Sequence, residues 1–271
     1  AGYPYGQCNL GFCYLRGIGV EADPEKAVEW FRKAAEQDLP RALGLLGDCL
    51  QNGDGIPQDD VKAAECYRRA AEQDYAPSQT DLGLCYELGR GVEMDKHEAT
   101  VWYEKAAQNG HPYAQCNLGF CYYRGIGVDV DLEKAVYWFQ KAAEQDLPRA
   151  LSLLGDCYQN GEGITRDEKK AVECYRRAAE QDYPPAQTDL GLCYEMGQGV
   201  EMDQLEATVW YEKAARLGHV YAQCNLGYCY LQGIGVQRDV KQAVYWLEQA
   251  AAQDLPRALD LLGDCCQNGD G

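Results

Sequence analysis

LGFCYLRGIGVEADPEKAVEWFRKAA, residues 10–35, returns as LGFCYYRGIGVDVDLEKAVYWFQKAA at 118–143, and looser forms of the same phrase fill the interval. Its Leu-Gly pair is the marker. Leu10, Leu46, Leu82, Leu118, Leu154, Leu190, Leu226 and Leu262 are each followed by Gly, at a constant spacing of 36 residues. A fixed period without insertions predicts a solenoid, in which each unit is too small to fold alone and leans on its neighbours.

Around each Leu, apolar and small residues recur at helical spacing, as in Gly6, Leu10, Cys13 and Tyr14 or Ala114, Leu118, Cys121 and Tyr122. This predicts a first helix, A. Gly17, Gly53, Gly89, Gly125, Gly161, Gly197 and Gly233 supply a left-handed stop. The aliphatic residue that follows (Val20, Ile56, Val92, Val128, Ile164, Val200, Val236) is expected to plug the loop into the core. Next come Asp23, Asp59, Asp95, Asp131, Asp167, Asp203 and Asp239, each placed to accept from the free N–H groups of a second helix, B. Pro24 suits its first turn, and Glu98 and Glu206 stand where capping boxes would be completed. Helix B then runs through Ala27, Trp30, Phe31, Ala34 and Ala35 and their equivalents.

The Gly after each Leu lies inside helix A, where it costs roughly 0.5–1 kcal/mol relative to Ala. Close approach of helix A to the small residues of helix B, Ala27, Ala63, Ala99 and their equivalents, accounts for it better than a hinge in every repeat. The predicted architecture is all-α, one array over residues 1–271. Its units begin near residues 2, 38, 74, 110, 146, 182, 218 and 254, giving seven complete repeats and one terminal helix A. With no helix B after it, that last helix should expose the face of Leu262 and Cys265. A longer period overlies the first. QCNLGFCY at 7–14 recurs at 115–122, LPRAL at 39–43 recurs at 147–151 and 255–259, and the copied unit is thus three repeats, 108 residues. Recent duplication and consensus engineering both produce such a pattern.

Composition bounds the function. With 46% hydrophobic and 25% charged residues the chain reads as an ordinary folded protein. A formal charge of −18 repels phosphate backbones and anionic lipid, which argues against nucleic-acid binding and membrane attachment. No apolar run approaches the roughly 20 residues of a membrane helix. The opening AGYPYGQ has neither Met nor a charged-then-apolar leader, and reads as the start of an excised piece without a secretion signal.

The pattern Leu-Gly-x-Cys-Tyr, Gly-x-Gly-Val, Asp, Lys-Ala, Trp-Phe/Tyr, Lys-Ala-Ala resembles the Sel-one-like repeat (SLR) family, relatives of the tetratricopeptide repeat. The resemblance covers nearly the whole chain. It implies a right-handed αα-superhelix with helices A on the concave side, and an adaptor that assembles complexes, with no shared catalytic residues or cofactor. A cysteine-rich branch of the family carries one disulfide per repeat, and on that precedent only Cys49–Cys66 and Cys157–Cys174 would pair. A β-lactamase-like activity belongs to the same branch, making a hydrolase the rival class. Here, however, Ser78 and Ser152 are the only serines and neither begins an S-x-x-K. Eight cysteines (Cys13, Cys49, Cys85, Cys121, Cys157, Cys193, Cys229, Cys265) fall on the expected core side of helix A, where Cys acts as a small hydrophobe. No C-x-x-C occurs. Reduced thiols are expected, and with them a reducing, cytoplasmic compartment. His97, His111 and His219 lack metal-ligand spacing and read as surface residues. Neither metal, cofactor nor catalytic residue is expected.

A partner's place follows from the helical wheel. Opposite the Leu, two and five or six positions on, stand Phe12, Arg16, Asp48, Leu84, Glu87, Phe120, Tyr123, Arg124, Asp156, Leu192, Glu195 and Tyr228. Apolar side chains on an outward stripe suit a peptide groove, and equally suit contact with the adjacent helix A. Carboxylates among them favour an extended apolar protein segment that carries basic residues. A purely structural role, with arrays stacking head to tail, is the alternative.

Overall fold

Fifteen helices, and no strand, make up the described part of the computed structural model, residues 2–267, with side chains through Cys265. In chain order the A and B helices alternate: α1 (Pro4–Arg16), α2 (Pro24–Ala35), α3 (Pro40–Asn52), α4 (Asp60–Ala71), α5 (Ala76–Leu88), α6 (Lys96–Gln108), α7 (Pro112–Arg124) and α8 (Leu132–Ala143). They continue as α9 (Pro148–Asn160), α10 (Glu168–Ala179), α11 (Pro184–Met196), α12 (Gln204–Arg216), α13 (Val220–Gln232), α14 (Val240–Ala251) and α15 (Pro256–Gln267). The chain divides into two compact units, residues 1–138 and 139–271, with the division inside α8. In the first, successive helices from α1 to α7 pack on one another; in the second, successive helices from α9 to α15 do the same. This serial packing within each unit is that of an α-solenoid.

Local chemistry sets the elements. All seven Asp side chains cap a helix B: Asp23 accepts from the Lys26 N–H at 3.0 Å, Asp131 from Lys134 at 2.9 Å and Asp203 from Glu206 at 3.0 Å. The same bond forms at Asp59, Asp95, Asp167 and Asp239. The reciprocal half of the capping box does not form. The Asp95 and Asp203 N–H groups donate instead to Tyr86 O and Tyr194 O of the preceding helix A, and Glu206 accepts from Trp210 Nε1 at 2.9 Å. The loop already satisfies the donor that the glutamate would have reached.

The second glycine of the loop explains the Gly-x-Gly pattern. At Gly91, φ is +68° and an added Cβ would lie 1.9 Å from Asp60 O, the first carbonyl of the preceding repeat's helix B. Each loop is therefore pressed onto the repeat before it. This also decides the loop aliphatics. Ile56, Val92, Val128 and Val236 pack partly buried against the core, but Val20, with no repeat beneath it, is 37% exposed, contrary to the expected plug.

Close approach accounts for the glycines inside helix A. A Cβ on Gly47 would stand 2.5 Å from the Tyr67 ring, on Gly191 2.6 Å from the Tyr211 ring, and on Gly83 3.1 Å from Ala99 O. What rests on the glycine is chiefly a ring four residues after the expected alanine. These rings (Phe31, Tyr67, Tyr103, Tyr211) are among the largest fully buried side chains, each amid alanines of helix B and cysteines of helix A. The terminal α15 behaves differently from expectation. Cys265 is only 2% exposed, held in a cluster with Cys224, Leu247 and Ala258, and Leu262 is half-buried. Packing on α13 and α14 covers that face.

Candidate partner-binding face

The residues singled out on helix A differ in burial. In the first unit Phe12, Asp48, Leu84, Glu87, Phe120 and Tyr123 are half-buried, while Arg16 and Arg124 are exposed. In the second, Asp156, Leu192, Glu195 and Tyr228 are half-buried. Apolar members of the stripe pack within the array. Phe12 packs against the first core cluster and Leu192 against the cluster around Tyr211, and each keeps an open edge. Arginines border the aromatic members. Arg16 and Arg41 each bring Cζ to 5.9 Å from the Phe12 ring centroid, Arg124 lies 5.2 Å from Tyr123, and Arg257 lies 5.7 Å from Tyr228.

The acidic members have an internal role that the helical wheel did not reveal. Tyr67 Oη donates to Asp48 Oδ1 at 2.9 Å and Tyr175 Oη to Asp156 Oδ1 at 2.8 Å. Tyr103 Oη likewise donates to Glu87 Oε2 at 2.6 Å, and Tyr211 Oη to Glu195 Oε2. A buried phenol needs an acceptor, and helix A supplies one wherever helix B carries Tyr. Where helix B carries Phe31 or Leu247, the matching stripe positions are Phe12 and Leu15, or Tyr228 and Leu231. The sequence held this signal as a covariation between two positions of the repeat.

Sequence reading also passed over the residue just before the repeat Leu. Burial first, and the like charge of Asp48 second, push the Asp81 carboxyl up to about 7; Asp189 rises to about 7 by burial and the charge of Asp156. Neither carboxylate forms an ion pair among the described residues. His111 and His219 are not surface residues as expected. Both are half-buried at the junction between repeats, with Nδ1 2.8 Å from Thr80 Oγ1 and Thr188 Oγ1, and burial lowers the pKa of each. In the second unit Leu192, Asp189, His219 and Tyr221 border one cavity of about 380 Å³.

The thirteen cysteines with described side chains are free thiols, Cys49, Cys66, Cys157 and Cys174 among them. Burial pushes Cys49 and Cys157 up to about 12, so they stay protonated at neutral pH. Ser78 and Ser152 are buried between helices, out of reach of a substrate. Among the described residues no helix is long and apolar enough to cross a membrane.

A Sel1 repeat profile matches residues 4–39, 40–75, 76–111, 112–147, 148–183, 184–219 and 220–255. A Sel1 repeat protein of Oxalobacter formigenes is 35% identical, with 97% of this chain and 76% of that one covered and a TM-score of 0.79. A protective antigen of uropathogenic Escherichia coli with an SLR fold is 32% identical over 96% of this chain and 71% of its own, with a TM-score of 0.48. A sel1 repeat protein of Klebsiella pneumoniae is 21% identical over 76% and 99% of the two chains, with a TM-score of 0.51. No curated protein sequence shows significant similarity. Seven consecutive matches, each one helix A followed by one helix B, leave no other assignment: the chain belongs to the Sel1 repeat family, whose members generally serve as protein-interaction scaffolds.

Proposed function

We propose that the chain is a non-catalytic adaptor that holds extended partner segments on its helices A, through apolar contacts with Phe12, Leu84 and Phe120 in the first unit and with Leu192 in the second. The observation that carries this reading is the state of these side chains. They are large, apolar and half-buried, and a second apolar surface would complete their burial at roughly 25 cal/mol per Å². Partner segments with basic residues suit the chain's charge of −18 and the carboxylates beside those anchors. Phe120→Asp combined with Leu192→Asp should abolish partner capture in a pull-down while leaving the melting temperature within a few degrees of the parent. Unchanged capture by that variant would remove the groove reading.

A second, structural reading draws on a different observation. Tyr3, at the N-cap of the first helix, and Tyr5 within it are 73% and 53% exposed. Stacking of copies through such faces would make the scattering mass rise with concentration, and a constant mass would exclude it.

A further inference from the structure

The cavity in the second unit combines features that select one kind of side chain. Leu192 and Pro185 give it an apolar wall, and Tyr221 adds an exposed ring. Two of the polar groups that line it are acceptors. Thr188 Oγ1 donates to Pro184 O at 2.9 Å, so it accepts from His219, whose Nδ1 must carry the hydrogen. The His219 Nε2 is then left as a lone-pair acceptor. Asp189 is the second acceptor, a carboxylate to which no protein cation is paired among the described residues. Arg257 and Asn225 border the same cavity and hold each other, with Arg257 Nη1 donating to Asn225 Oδ1 at 3.2 Å and its Cζ resting over Tyr228. An apolar-walled space with an unpaired carboxylate and an imidazole lone pair suits a long aliphatic stem that ends in a cation.

We propose that this cavity is a subsite for a lysine or arginine side chain of the bound segment, with the cationic head on Asp189 and the stem along Leu192 and Tyr221. The inference rests on the groove reading above. The same constellation recurs 108 residues earlier. Thr80 Oγ1 lies 2.8 Å from His111 Nδ1, the His111 and Tyr113 rings are 5.8 Å apart, and Asp81 and Leu84 occupy the equivalent places. Asp81 is thus the equivalent carboxylate of the first unit. The burial that raises the Asp81 and Asp189 carboxyls is the condition under which an incoming cation interacts most strongly.

Acidity should weaken this binding. Facing Asp189 from the packed elements are Asp156 on α9, Tyr175 on α10, His219 and Tyr221 on α13, and Arg257 on α15. As pH falls through about 7 Asp189 takes up a proton, and at lower pH His219 becomes a cation. Both changes oppose a bound ammonium.

The test uses the whole chain and fluorescein-labelled dodecapeptides of apolar residues with one central lysine, compared with the same peptides carrying norleucine there. Fluorescence anisotropy should show the lysine peptide binding at least about tenfold more tightly, as a charge-assisted bond requires. It should also bind more tightly at pH 8 than at pH 6. Asp81→Asn with Asp189→Asn should erase the difference between the two peptides. These substitutions remove buried charge without changing shape, so the fold is retained. Should Leu84→Asp with Leu192→Asp abolish binding while the asparagine pair leaves the lysine preference intact, the cation subsite is overturned and the groove stands. Binding that survives both pairs of substitutions overturns the groove and the subsite together.

Discussion

Tyr175 Oη donates to Asp156 Oδ1 across the helical hairpin of α9 and α10 at 2.8 Å, and one 108-residue copy earlier Tyr67 makes the same bond to Asp48. Burial raises the pKa of both carboxyls, and the tyrosine hydrogen bond opposes that rise. The pair is thus a mutual requirement: the phenol needs the acceptor, and the ionised carboxylate needs the donor. Tyr175→Phe should destabilise the protein by about 1–3 kcal/mol at neutral pH, because it strands a partly buried charge. Adding Asp156→Leu should restore most of the loss, since it recreates the Phe and apolar pairing of the first repeat. Urea denaturation of the single and double variants measures the coupling.

The two glycines Gly191 and Gly263 hold equivalent positions in α11 and α15, with opposite surroundings. A Cβ on Gly191 would meet the Tyr211 ring at 2.6 Å, whereas one on Gly263 would meet nothing within 4 Å. Gly191→Ala should therefore destabilise by about 1–3 kcal/mol through overpacking. Gly263→Ala should instead stabilise α15 by roughly 0.5–1 kcal/mol, the ordinary gain of Ala over Gly in a helix. Amide hydrogen exchange over α15 separates the local gain from a global effect.

Asp81 and Asp189 give stability an unusual pH dependence. Their folded pKa of about 7 lies above the unfolded value near 3.9. From about pH 4 to 7 the unfolded chain is ionised there while the folded chain holds the proton, so stability falls as pH rises through that window and stays low above it. Asp81→Asn and Asp189→Asn should each stabilise by up to about 4 kcal/mol at pH 8 and by almost nothing at pH 4. Thermal melts at the two pH values check the sign. The capping Asp23, Asp59 and Asp131 act oppositely. Their carboxyls are held low by bonds to Lys26, Lys62 and Lys134, and what they add is lost only below about pH 4.

A natural pair of swaps tests packing between neighbouring helices A. Gly44 faces Ser78 in the first unit, with an added Cβ 2.8 Å from Ser78 Oγ, and the equivalent residues in the second unit are Ser152 and Ala186. Gly44→Ser alone should cost about 1–3 kcal/mol by crowding the Ser78 hydroxyl. With Ser78→Ala the cost should shrink to less than about 1 kcal/mol, because the pair then matches its copy. Guanidinium denaturation midpoints of the two variants decide it.

Repeat length, helix order, the aspartate caps and the glycine stops were all legible in the chain itself, because each depends on groups within a few residues of one another. Asp203 finds the Glu206 N–H wherever a helix starts, and Gly197 can turn left-handed in any context. What tertiary structure alone decided was where the polar groups of one helix find partners on another. Asp156 and Glu195 read as outward charges until the buried phenols of Tyr175 and Tyr211 stand against them, and His219 reads as a surface residue until Thr188 of the preceding repeat receives its hydrogen. Val20 and Ile56 occupy the same place in the repeat and differ in burial, since one loop has a neighbour beneath it and the other has none. Local hydrogen bonding is written in spacing; desolvation depends on the neighbouring helix, and so it emerges only when the repeats are stacked.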